Sequence, residues 1–392
     1  MRLAKAIVRK ASEPQHGVQR LACTLAGAVQ QGSENGATPQ AVTKTDESEA
    51  RTENLANTGI SSSAPKIQAL NYLALGAPCV IGDEVLLNMT ALDLALGTGG
   101  FAFVVPSTAP GATASGHIMK LRYTPLQSEV LAVEEEASPH HATMLAAQSL
   151  EGTPVICCGL HSQVPLVAAA CKQQRPQARV VYCMTDDAAL MHSFSELAAQ
   201  AQQQQLIDAT ITCGQAQGGD LEAVNLYSGL LAARHVLAAD AIIVCIGPGV
   251  VGTATPFGHG GMAQAQALNA AAALDGVPIA VLRLSFADKR ERHQGVSHHS
   301  LVALGRATLT EAVIALPANL EPEQAQAVER ALAKAGIPDK HGIVEVPVTP
   351  GEIDLRGLTV TTMGRAQKDD RAFFSAAFAA GILAARFLAE SL

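Results

Sequence analysis

Two rhythms of apolar and polar positions divide the chain. Up to about residue 130 the apolar residues fall in short or alternating runs at 7–8, 18–25, 67–75, 84–88 and 101–105, separated by turn signals such as Gly82 and Asp83. Runs of this length with such punctuation predict β-strands, and several of them together predict a small barrel or sandwich over residues 1–130. Within it, residues 31–65 are rich in Ser, Thr, Glu, Asn, Gly and Gln. That stretch buries too little apolar surface to offset its ordering entropy, so a disordered insertion is expected there.

After a linker at 131–152 the rhythm changes. Short apolar runs alternate with segments rich in Ala, Leu and Gln, which is the βαβ pattern of a parallel sheet covered on both faces. Strands are predicted at 154–159, 179–184, 209–213, 241–246, 278–284, 312–316 and 342–346. Helices are predicted between them at 165–173, 195–204, 224–238, 262–274, 301–309 and 322–335, with Ser193 and Ser195 as N-cap candidates and Gly336 and Pro338 closing the last. A final helix over 371–388 is apolar nearly all round, which implies burial against the sheet or a second subunit. The predicted fold class is therefore α/β, a small β domain followed by a Rossmann-like, mostly parallel domain over 153–392.

Composition narrows the function. The 392 residues carry 27 Lys and Arg against 35 Asp and Glu, a formal charge of −8, and only 3% are aromatic, with no Trp. A binder of nucleic acid needs a net basic face and stacking platforms, so none is expected. The 8 cysteines fall mostly inside apolar runs and form no C-x-x-C pair, which points to buried thiols in a reducing compartment. The N-terminus lacks the apolar core of an export signal, and 373–385 is too short to cross a bilayer. A cytoplasmic protein without membrane contact is expected, with self-association left open.

In a parallel sheet, ligands collect beyond the carboxyl ends of the strands. The loop after the strand at 241–246 contains Gly247, Gly249, Gly252, Thr253, Thr255, Gly258, Gly260 and Gly261. Backbone N–H groups of glycines approach an anion without a Cβ in the way, and threonine hydroxyls add donors, so this loop is read as an anion cradle. Its G-x-G-x-x-G start precedes the next helix by too many residues, and no acid sits at the ribose position, which argues against a nicotinamide cofactor. The loop could equally be one whose glycines permit close packing. The loop after 278–284 holds Asp288, Arg290, Arg292, His293, His298 and His299, a combination that clamps charge and moves protons. His293, His298, His299 and Asp288 could alternatively bind a metal, but adjacent histidines project in different directions and the spacing matches no familiar zinc or iron signature, so no metal set is assigned. His161 and Ser162 follow the first strand of this half, and Asp186 follows the second. They are read as hydrogen-bonding, orienting or helix-capping groups.

Five separated segments carry a resemblance: GDEVLLNMTALDLALGTGG at 82–100, GHIMKLRYTPLQ at 116–127, GPGVVGTATPFGHGG at 247–261, LRLSFADKRERHQGVSHHS at 282–300 and TMGR at 362–365. Together they resemble the bacterial family known as domain of unknown function 3866. The resemblance implies a stand-alone bacterial protein and brings no activity, substrate or catalytic residue with it. Residues 31–65 look like an insertion relative to that family, and Met89 stands where a polar residue such as Thr is expected.

The residues themselves point to a hydrolase or group transferase acting on a small anionic metabolite of the phosphorylated or nucleotide-like kind. The glycine loop and Ser162 would hold the anion, and Arg290 and Arg292 would neutralise it. His293, His298, His299 or His161 would move a proton, with Asp186 or Asp288 orienting a histidine. The alternative is a non-catalytic binding or regulatory protein using the same crevice. No particular cofactor follows. The reading requires that the glycine loop and the arginine–histidine loop meet at one rim of the sheet.

Overall fold

The structure is a computed structural model that describes residues 2–26, 66–95, 100–106, 116–349, 351 and 353–390. The expected insertion at 31–65 lies outside the described residues. Contacts divide the chain into two units.

The first unit is a closed barrel of β1 (Leu3–Ala11), β2 (Val18–Leu25), β3 (Lys66–Tyr72), β4 (Glu84–Asn88) and β5 (Ala102–Val105), in the order β1-β2-β3-β5-β4. Alternation places Ala6 and Val8 of β1, Leu21 and Cys23 of β2, and Val85 and Leu87 of β4 in the barrel core. Closure follows from β1 pairing with both β2 and β4, which leaves no open edge. A short helix, α1 (Thr90–Asp93), follows β4.

The second unit holds a hairpin, β6 (Ile118–Lys120) with β7 (Ser128–Val130), and α2 (His141–Ala146). Its main sheet has eight strands: β8 (Pro154–Cys157), β9 (Val180–Thr185), β10 (Ala209–Cys213), β11 (Leu221–Ala223), β12 (Ala241–Ile246), β13 (Val277–Ala280), β16 (Val313–Pro317) and β17 (Gly342–Val346). Their order is β11-β10-β9-β12-β8-β13-β16-β17, and every pairing is parallel. A separate antiparallel pair, β14 (Leu284–Ser285) and β15 (Gly295–Val296), stands beyond β13.

The helices are α3 (Val164–Gln174), α4 (Glu196–Gln203), α5 (Leu226–His235), α6 (Ala263–Ala273), α7 (His298–Val302), α8 (Pro322–Lys334) and α9 (Arg371–Glu390). One core packs α3, α4 and α9 on one face of the sheet, and the other packs α5, α6 and α8 on the opposite face. Strands β8, β9, β10 and β12 are buried at every residue, as continuous apolar strands between two helical layers must be.

The final helix is longer than its apolar run suggested. Residues 371–388 have the length and hydropathy to cross a bilayer, yet 72% of that window is buried inside the protein. Its apolar circumference is taken up by α3 and the sheet, so it is a core helix.

Two elements depart from their sequence reading. The strand expected over 278–284 ends at Ala280 because buried side chains take its next carbonyls: Gln264 donates to Val281 and Gln163 to Leu282. The helix expected at 301–309 begins earlier, at His298, because Ser297 caps it by accepting the His299 N–H at 3.2 Å. A π-helical turn at Ala303–Ala307 follows. Strand β11 was not anticipated, being three residues long with Glu222 at its centre.

Candidate functional site

Strands β8 and β12 are neighbours, but the helices that follow them, α3 and α6, go to opposite faces of the sheet. The outgoing chains diverge at the carboxyl ends, which makes this the switch point where open α/β sheets bind ligands. The glycine loop leaves β12, and the arginine–histidine segment leaves β13.

The two segments meet through their histidines. The His259 ring, at the end of the glycine loop, stacks on His299 with centroids 3.8 Å apart and planes within 6°. His298 meets both rings edge-on, 5.5 Å from His259 and 4.4 Å from His299, and His293 completes the group 4.9 Å from His299. Cap geometry explains the placement. Starting α7 at His298 puts two adjacent histidines in its first turn, and Ser297 also bonds His293 Nδ1 at 2.7 Å. Behind them the buried Arg283 guanidinium donates to His299 Nδ1 at 3.2 Å.

Electrostatics keeps these rings neutral. Burial, then the neighbouring His259 and Arg283, pushes the His299 pKa down to about 2. Burial followed by Arg283 and Arg290 pushes His293 down to about 3. His259 and His298 are lowered in the same sense, again chiefly by burial. Arg283 is itself brought down to about 10 by burial and the nearby Arg290. Uncharged imidazoles thus stand beside a guanidinium, in a positive field that disfavours their protonation.

Two of the loop glycines, Gly252 and Gly261, stand against these rings. A Cβ on Gly261 would stand 3.0 Å from His259 Nδ1, and one on Gly252 would stand 3.4 Å from His299 Nε2. At Gly247 it would lie 2.5 Å from the Ala189 carbonyl oxygen, and at Gly260 3.1 Å from Val250. Gly249 differs, with φ +95° and open space around it. The threonine hydroxyls expected to face an anion turn inward. Thr253 Oγ1 donates to the Gly258 carbonyl at 2.9 Å, and Thr255 Oγ1 accepts from the Gly258 N–H at 3.1 Å. Residues 252–259 thus fold as a small hairpin with its own bonds satisfied, and the cradle reading narrows to Gly249 and the base of the loop.

Asp288 is 3% exposed and grips arginines rather than a histidine. Arg290 reaches both its oxygens, at 2.9 and 2.8 Å, and Arg365 reaches it at 3.4 Å. The Arg290 bond and charge hold the Asp288 carboxyl well below the usual carboxylate range. Arg365 also donates to Asp370 at 3.0 Å, so one guanidinium ties two buried carboxylates. Asp370 borders a cleft of about 830 Å³ beyond β14 and β16, lined by Phe286, Asn319, Glu321, Lys368 and Arg371. Another cleft, of about 500 Å³, lies at the amino ends of β8 and β9 among Glu151, Arg175, Arg234 and Asp240, at the sheet's opposite rim.

Three expected residues stand apart from the cluster. His161 belongs to a closed network. Tyr182 donates to the carbonyls of Cys245 and Ile246, so its oxygen takes the His161 Nδ1 hydrogen at 3.2 Å. Ser195 then meets His161 Nε2 at 2.6 Å while capping α4. Both ring nitrogens are thereby hydrogen-bonded. Ser162, beside it in the same turn, lies after β8 rather than in the histidine cluster. Asp186 accepts the Gln215 N–H at 2.7 Å and braces the loop after β10, not a histidine.

The structure adds His259, Arg283 and Arg365 to the candidates. All three sat in segments already singled out. Nothing in the spacing could show that His259 would stack on His299, because that contact joins two different crossover loops.

No curated protein and no solved structure matches the chain significantly. A family model does match, over residues 68–381, which spans the last three barrel strands, the whole parallel sheet and half of α9. The chain belongs to the family described as protein of unknown function (DUF3866).

Proposed function

We propose that the chain is a hydrolase or group transferase acting on a small anionic metabolite at the carboxyl rim of its parallel sheet. The observation that carries this reading is the junction of His259, His299 and Arg283, which brings the two polar loops to one point. Arg290 and the exposed Arg292 supply charge for a phosphate or carboxylate. Asp288 holds Arg290 in place. His298 and His259 offer neutral nitrogens for proton transfer, and an incoming anion would raise their basicity by supplying the counter-charge they lack.

A thermal-shift screen of phosphorylated and nucleotide-like metabolites tests it. At least one compound should raise the melting temperature of the unaltered chain and should lose that effect in Arg292→Ala and His298→Ala. Incubation with that compound should yield product, and product formation should vanish in His298→Ala. Stabilisation without turnover would overturn the enzymatic part and leave a binding protein. No response to any anion would overturn the reading entirely.

A further inference from the structure

His259 Nε2 donates to the Pro256 carbonyl at 3.0 Å, and a carbonyl only accepts. The neutral ring therefore carries its lone pair on Nδ1. That atom is buried without a hydrogen-bond partner among the described residues, and so is Nε2 of His298. One ring nitrogen from each of His259, His298 and His299 lies within 4.8 Å of the others. An imidazole whose far nitrogen is anchored to a backbone carbonyl, with the near one bare, has the form of a metal ligand. We propose that His259, His298 and His299 form a binding site for one divalent transition-metal ion of the zinc type.

The donor set selects the ion. Three imidazoles suit zinc, cobalt, nickel or copper, whereas magnesium and calcium take oxygen ligands. Three protein ligands also leave a position open, where an oxygen of the anionic substrate proposed above would fit. With a metal bound, His259 and His298 act as its ligands in place of the proton-transfer role proposed above. Only this use of the metal rests on that reading; the site itself does not.

The stacked rings set a condition. An imidazole lone pair lies in the ring plane, and parallel rings 3.8 Å apart cannot both aim at one ion. Pro256 fixes His259, and His298 stands at 71° to it, so those two present their nitrogens without moving far. Rotation falls to His299, which must release Arg283. Arg283 then has Asp288, 4.0 Å away, as its remaining partner. Metal binding and the Arg283–His299 bond are therefore competitors.

The test uses the untagged full-length chain, stripped with chelator and dialysed against micromolar Zn²⁺ or Co²⁺, with bound metal counted by mass spectrometry. About one equivalent is expected. Affinity should fall at least tenfold in His259→Ala and in His298→Ala, and should be unchanged in the exposed control His117→Ala. Copper(II) electron paramagnetic resonance on the unaltered chain should show three coupled imidazole nitrogens, a readout that no folding defect can affect. Substoichiometric uptake of both metals, or full binding by both variants, would overturn the site. Metal uptake with no response to anions would leave the site standing and defeat the proposed function; anion stabilisation without metal uptake would do the reverse.

Discussion

The partners that hold a histidine set what its ring can do. His161 lies between a tyrosine and a serine, with its pKa pushed down to about 4 by burial and by His192. The unfolded chain, with an ordinary histidine near 6.5, binds a proton at pH values where the folded chain does not. The resulting stability is fully present above about pH 6.5 and is lost as pH falls toward 4, with an upper bound on the order of 3 kcal/mol. Urea unfolding at pH 7.5 and pH 4.5 checks this: the loss between the two should be smaller in His161→Gln than in the unaltered chain. Glycine substitutions separate packing from conformation. Gly247→Ala drives a Cβ to 2.5 Å from a backbone oxygen and should cost about 1–3 kcal/mol. Gly249→Ala meets nothing within 4 Å and should cost only about 1–2 kcal/mol, from its positive φ. A Gly247→Ala variant as stable as the unaltered chain would contradict the packing account. The residue types of the site were legible in the sequence, because glycine, arginine and histidine concentrated at strand ends. Their pairings were not: Asp288 went to arginines because three guanidinium groups converge on it, and the two threonine hydroxyls turned into their own hairpin.

At the level of elements, the closest helix pair is α3 with α9, and small residues make it possible. Ala377, Ala380 and Ala384 of α9 are fully buried, and a Cβ on Gly381 would stand 2.3 Å from the Val167 carbonyl oxygen. Gly381→Val must separate the two helices. It should lower stability by more than the ~1–3 kcal/mol typical of overpacking, read as loss of the cooperative thermal transition or a large fall in its midpoint. Element positions followed the apolar rhythm closely where burial is continuous: the strands Ala209–Cys213 and Ala241–Ile246 fall where the sequence puts them. The reading slipped where a side chain competes with the backbone ladder. Gln163 and Gln264 end β13 early, and Ser297 starts α7 early, moving His298 and His299 from a loop into a helical turn. Such interventions depend on residues far away in the chain or on a single hydroxyl, and periodicity carries neither.

For the molecule as a whole, composition and the two rhythms already imply a β unit followed by a parallel α/β unit, because alternation and continuous apolar runs answer to different burial geometries. Barrel closure and the sheet order β11-β10-β9-β12-β8-β13-β16-β17 came from strand pairing, which local pattern does not encode. The insertion of β12 between β9 and β8 sets the glycine loop at the switch point. The sequence by itself determined which residue types stand at the carboxyl ends of the strands, because burial forces apolar residues into the strands and leaves the chemistry to the loops. Only the tertiary structure decided that His259 lies against His299 in front of Arg283, because that contact exists only once two separate crossovers have brought their loops to the same rim.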